Sequence, residues 1–278
     1  MKTTKSIIAL LLVMVMCVGL MAGCSAKKPV SETDVSATGE PAAASDLAYI
    51  LDKGTLVVGI TEFEPMDYRN ADSEWIGFDA DMAKAFAESL GVDVEFQVIE
   101  WDNKVMELDG KTIDCVWNGM TLTDEVKSAM ECTGGYFKNA QVVVVPADKA
   151  ADIKSTEDIK DFSFAVESGS AGKKEIEALG YSYTEVQDQA TALLEVNSGT
   201  ADAAVIDYLM ALAMIGEGTS YANLSRTISL NGEEYGVGFR KGSDLTAKLT
   251  EFFKAAYADG TMTKIAETYK IADMLIAQ

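Results

Sequence analysis

Histidine is absent from this chain of 278 residues. That removes His-based nucleophile triads, the commonest general base near neutral pH, and imidazole metal sites. Cations are scarce too: 23 lysines and arginines stand against 44 aspartates and glutamates, a formal net charge of −21. Such a charge disfavours nucleic acid and anionic lipid surfaces as partners. It is compatible with cationic ligands, although acidity also serves solubility. Cysteine occupies only four positions, and Cys115 and Cys132 are too far apart to suggest a zinc knuckle. Gly169-Ser170-Ala171-Gly172-Lys173 lacks the glycine spacing and the hydroxyl residue after lysine that a phosphate loop needs. Paired carboxylates such as Asp79/Asp81 and Glu62/Glu64 are expected to be solvated or to cap helices in so acidic a chain.

Long apolar runs are limited to one, from Ile7 to about Met21. It is shorter than the roughly 20 residues a spanning helix needs. Lys2 and Lys5 precede it, and Leu20-Met21-Ala22-Gly23-Cys24 closes it. Small residues before a cysteine are the lipoprotein form of a secretory cleavage site; a plain signal peptide with an incidental cysteine is the other reading. Residues 1–23 are thus expected to be a signal segment. Residues 24–46, rich in Ser, Ala, Pro, Thr and Lys with no apolar period, are expected to be a flexible tether. About 20 such residues span roughly 25 Å. Export permits a Cys115–Cys132 disulfide, and two buried thiols are the alternative.

The remaining residues, about 230, suffice for one large domain or two small ones. Apolar β-branched runs at 55–60, 94–99, 113–117, 141–145, 162–166, 203–206 and 236–240 read as strands. Amphipathic stretches lie between them. Phe78, Met82, Phe86 and Leu90 recur every four residues before Gly91. Leu245, Leu249, Phe252 and Ala256 do the same before Gly260. This alternation points to parallel sheets with helices on both faces.

Ile113-Asp114-Cys115-Val116-Trp117-Asn118-Gly119-Met120-Thr121-Leu122-Thr123-Asp124-Glu125-Val126 reads as a buried strand, then a turn exposing backbone and a hydroxyl. It resembles the ligand-contacting segment of family 3 of the bacterial extracellular solute-binding proteins, receptors of ABC importers for polar amino acids. Their pattern is roughly Asp-x-x-x-x-Gly-Met-Thr-x-Thr-x-Glu-Arg. Val126 stands where that family has the arginine that grips the ligand's α-carboxylate.

The resemblance covers about residues 48–270 and extends to other motifs. Phe63 falls on a loop where the family places an aromatic over the ligand; plugging the core is the alternative. Trp75-Ile76-Gly77-Phe78-Asp79-Ala80-Asp81 matches a helix opening, with Asp79 placed to cap the helix. Trp101, in a Trp-Asp segment, corresponds to the second wall of an aromatic sandwich and offers a cation-attracting face; core packing is its other reading. Gly119 and Thr121 correspond to a carbonyl and a hydroxyl that accept from a ligand ammonium, though Thr121 also suits a turn cap. Gly169, Ser170 and Ala171 correspond to a turn whose amides bind a carboxylate. Gly199-Thr200-Ala201-Asp202-Ala203-Ala204-Val205-Ile206-Asp207 ends in the aspartate that pairs with the ammonium, or that caps a helix.

The implied architecture is α/β, a two-lobe periplasmic-binding-protein type II fold. Each lobe would be a mainly parallel sheet flanked by helices, with the ligand cleft between them. Residues 47–141 and 235–278 would form the first lobe and 142–234 the second. The implied protein is a monomeric receptor without cofactor or catalysis, lipidated at Cys24 and held at the outer face of the cytoplasmic membrane, or periplasmic. It would serve an ABC permease and its ATPase. Val126 leaves two ligands open: an amino acid held mainly by the 169–171 amides, or an amine or quaternary cation without the carboxylate. A sensory module and a dehydratase-like enzyme are the remaining readings.

Overall fold

The computed structural model describes residues 45–278. The expected signal segment, the expected lipid site Cys24 and most of the expected tether lie outside the described residues. The fold begins at Ser45, whose hydroxyl caps α1 (Asp46–Lys53) by accepting from Ala48 N. Ser45 and Asp46 therefore belong to the fold and not to the expected tether. The physical reason is Arg240, whose guanidinium pairs with the Asp46 carboxylate.

The first sheet contains β1 (Thr55–Ile60), β4 (Asp93–Val98), β5 (Cys115–Thr121), β6 (Glu131–Cys132), β7 (Phe137–Asn139) and β13 (Glu233–Phe239). Its order is β4-β1-β5-β13-β6, with β7 also on β13. The second sheet contains β8 (Gln141–Pro146), β9 (Phe164–Glu167), β10 (Tyr183–Val186), β11 (Ala203–Asp207) and β12 (Leu224–Ser229), in the order β10-β9-β11-β8-β12. A small ribbon pairs β2 (Tyr68–Arg69) with β3 (Trp75–Ile76).

Both sheets are mixed and not mainly parallel. Strands joined through helices run parallel: β4-β1-β5 in one sheet and β10-β9-β11 in the other. The strands that arrive from the opposite lobe, β13 and β8, run antiparallel to β5 and β11. They enter directly, without the long crossover that parallel pairing requires. The chain leaves the first sheet after Asn139 and returns at Glu233. Gln141, Glu233 and Glu234 thus lie across the expected lobe boundaries.

Helices cover the sheets. In α2 (Phe78–Leu90) the four-residue apolar period buries Phe78, Met82 and Phe86, and Gly91 ends the helix at φ 73°. In α8 (Leu245–Ala258) Phe253 enters the core and Phe252 is only partly buried, so the buried stripe is Leu245, Leu249, Phe253, Ala256. The other helices are α3 (Lys104–Asp109), α4 (Asp124–Ala129), α5 (Ala171–Leu179), α6 (Gln189–Ser198), α7 (Tyr208–Met214) and α9 (Thr261–Thr268).

Cys115 and Cys132 are both free. Strand β13 runs between β5 and β6, so their backbones are two strand spacings apart, roughly 10 Å. That exceeds the reach of a disulfide.

Arg240, just past β13, ties the first lobe together. Its Nε donates to both Asp46 oxygens at 3.1 and 3.0 Å, and its Nη1 donates to the carbonyls of Leu108 and Ile113 at 3.1 and 2.9 Å. Asp114 lies 3.6 Å from Nη2 and pairs with Lys53 on its other oxygen. Removing one partner of a buried ion cluster leaves the others uncompensated. Arg240→Ala should therefore lower unfolding free energy by about 3–5 kcal/mol in urea titration. An unchanged midpoint would mean that Asp46 and Asp114 find other partners.

Candidate functional site

The C-terminal ends of β1, β5, β9 and β11 face a cavity of about 370 Å³ between the lobes. All eight residues expected at a ligand site line it: Phe63, Trp101, Gly119, Thr121, Gly169, Ser170, Ala171 and Asp207. Val126 lines it as well, so an apolar side chain faces the cleft at the position where the resembled family carries an arginine.

Two glycines permit the close approaches. Gly119 has φ 54°, and a Cβ there would meet the Phe63 ring at 2.5 Å. Gly169 has φ 70°, and a Cβ there would meet Asp102 Oδ1 at 2.6 Å across the cleft. Both positions require a backbone that L-residues with side chains adopt at a cost.

Asp79 departs from expectation. Gly77 occupies the N-cap of α2, while Asp79 is fully buried. Its Oδ2 accepts from Gly119 N at 2.6 Å and from the Tyr136 hydroxyl at 2.8 Å. It therefore anchors the cleft floor and is neither a cap nor a solvated acid. Asn118 does similar work. It accepts from Thr61 N and Oγ1 at 3.0 and 2.8 Å and donates to Asp67 Oδ2 at 2.8 Å.

Asp207 precedes α7 but makes no side-chain cap. Its carboxylate accepts from Gln141 Nε2 at 3.1 Å, from the Tyr235 hydroxyl at 2.6 Å, and from Asn139 and Gln189. Burial, then the charge of Glu233, pushes its pKa up to about 7. Thr121 does not cap either: its hydroxyl donates to Glu233 Oε1 at 2.8 Å, and Thr123 caps α4. A hydroxyl that donates still has two acceptor lone pairs.

Trp101 is buried at the cleft wall, with Lys104 Nζ 4.7 Å from its ring centroid. Lys104 escaped the sequence reading, although it follows Trp101 by one helical turn and shares its face. Its ammonium donates to Trp101 O at 3.0 Å and, across the cleft, to Gly169 O at 3.2 Å. Burial lowers its pKa to about 8. Glu167 also escaped notice. It ends β9 beside Asp207, and burial, then the Asp207 charge, raises its pKa to about 8. Gln189 Nε2 reaches both carboxylates. Among the described residues, no group of three or more His, Cys, Asp or Glu is arranged to hold a metal ion.

The chain belongs to the bacterial extracellular solute-binding proteins, family 3, whose profile matches residues 56–272. It is 27% identical over 280 aligned positions to the L-cystine-binding protein TcyJ of Escherichia coli K12, covering 94% of each chain. It is 28% identical to the arginine-binding extracellular protein ArtP of Bacillus subtilis, covering 78% of this chain and 86% of that relative. Among solved structures it resembles the ancestral amino acid-binding protein AncCDT-1, a precursor of cyclohexadienyl dehydratase. That match has TM-score 0.74 and 31% identity, over 81% of this chain and 98% of the other. Among the described residues no helix is long and apolar enough to cross a membrane.

The buried acids set a pH dependence. Unfolded Asp and Glu release their protons near pH 4, whereas Asp207 holds its proton to about 7 and Glu167 to about 8. Asp79, raised to about 7, and Asp67 act in the same direction. Between these limits the native state binds more protons than the unfolded state, so ligand-free stability falls as pH rises. Lys104 has the opposite sign and acts only above about pH 8. The urea midpoint should be higher at about pH 5.5 than at about pH 8, and Glu167→Gln should narrow the gap. A midpoint that rises over this range would show that these acids are ionised and paired in the native state.

Proposed function

We propose that this chain is the substrate-binding lipoprotein of an ABC importer. It captures a free amino acid between its lobes and presents it to a membrane permease driven by its ATPase. Cys24 carries the lipid, and residues beyond it tether the domain to the outer face of the cytoplasmic membrane. The receptor acts as a monomer and is not an enzyme. Its lobes are divided where the chain changes sheet, after Asn139 and before Glu233.

One observation carries this reading: the residues expected to hold an amino acid, drawn from both lobes, converge on a single cavity of suitable size. Phe63 and Trp101 wall the ligand. Thr121, oriented by its bond to Glu233, and the Gly119 carbonyl accept from the ammonium, and Asp207 neutralises it. The amides of Gly169, Ser170 and Ala171 take the carboxylate at the start of α5. Curated relatives named for cystine, arginine and glutamine support an amino acid over an amine or quaternary cation.

A thermal-shift series with L-arginine, L-histidine, L-glutamine and L-cystine tests the reading. Ligands that bind only the folded state stabilise it by about 2.7 kcal/mol at a hundredfold excess over Kd. At least one of these amino acids should raise Tm by several degrees, and Asp207→Ala should abolish the shift while the ligand-free protein stays folded. A full shift retained in the variant would reduce Asp207 to a structural group.

A further inference from the structure

Two buried ionisable groups, one basic and one acidic, face the cleft without a salt-bridge partner. Lys104 is 8% exposed. Its ammonium contacts two carbonyl oxygens and the Trp101 ring, and it forms no ion pair among the described residues. Glu167 is 3% exposed. Its Oε2 has one long contact, 3.4 Å from Gln189 Nε2, and its Oε1 has no partner. Lys104 comes from the first lobe and Glu167 from the second, and both line the same cavity.

An isolated charge held away from water is expensive. Selection for stability alone would pair such groups or replace them with apolar ones. A ligand with one charge would satisfy one of them and leave the other stranded. A ligand with both charges satisfies both. The placement fits an α-amino acid head group. Lys104 reaches the carbonyl of Gly169, which begins the turn already assigned to the carboxylate. Glu167 and Asp207 flank the same Gln189 amide, so their carboxylates converge on the place assigned to the ammonium.

We propose that Lys104 and Glu167 are the residues that select a zwitterion. Lys104 supplies the cation for the ligand's carboxylate, in a cleft where Val126 supplies none, and Glu167 shares the ligand's ammonium with Asp207. This rests on the amino-acid reading above and identifies what makes both ends of the head group necessary.

The test is a set of calorimetric titrations with L-arginine, L-histidine, L-glutamine and L-cystine, each beside its α-amide and its deaminated acid. Lys104→Met should weaken binding of the free amino acid about tenfold to hundredfold and leave the α-amide unchanged. Lys104→Arg should preserve the preference for the free acid. Glu167→Gln should weaken the amino acid by a similar factor and leave the deaminated acid unchanged. Both variants should be at least as stable as the parent without ligand, because Lys104→Met removes a buried ammonium that has no counter-ion and Glu167→Gln removes an acid that must take up a proton to be buried. Equal losses for the free acid and its amide, or variants that are merely destabilised, would overturn the assignment while leaving the amino-acid reading intact. If the unmodified protein binds none of the four amino acids, that reading fails and this assignment falls with it.

Discussion

An ionised group removed from water must find an opposite charge or a full set of hydrogen bonds, and the cleft meets this demand incompletely. Asp207 is surrounded by neutral donors from Asn139, Gln141, Gln189 and Tyr235. Glu167 has one weak donor, and Lys104 has carbonyls only. The ligand-free site therefore raises the pKa values of its acids and lowers that of its lysine to about 8. A head group carrying both charges would complete all three environments at once. Such a head group would bridge the lobes, because Lys104 and Glu167 come from opposite sides of the cleft.

The crossing strands hold part of this network in place. Strands β8 and β13 pass directly between the sheets, and each delivers donors to Asp207: Gln141 from one, Tyr235 from the other. Glu233, at the returning crossing, accepts from Thr121, Asn139 and Gln141, so the connection between lobes and the cleft floor share one hydrogen-bond network. Beneath the opposite wall, Asp79 fixes Gly119 and Asp67 receives from Asn118. Arg240 secures the far end of the first sheet to α1.

Much of this was legible in the sequence. β1 appears at the expected residues because a six-residue β-branched run bounded by glycine admits few other readings. The cleft residues were legible because they sit in short motifs at strand ends. β10 and β12 were not. Tyr183–Val186 is short and half exposed, and Leu224–Ser229 mixes serine and arginine with its apolar residues, so neither has a clear period. Asp79 was misread because an acid opening a helix resembles a cap. Its partners Gly119 and Tyr136 lie far along the chain and meet it only in the folded lobe. The isolation of Lys104 and Glu167 is likewise a property of the assembled cleft, since no spacing rule reveals which charges will lack a counter-ion.

The most direct measurement is proton exchange on binding. Titration calorimetry with the tightest-binding of L-arginine, L-histidine, L-glutamine and L-cystine, at pH 7 in buffers of different ionisation enthalpy, gives the protons moved per ligand. An ammonium placed between Glu167 and Asp207 should ionise both acids, whose ligand-free pKa values stand at about 8 and about 7, and so release about one proton. No net exchange, or net uptake, would contradict the account.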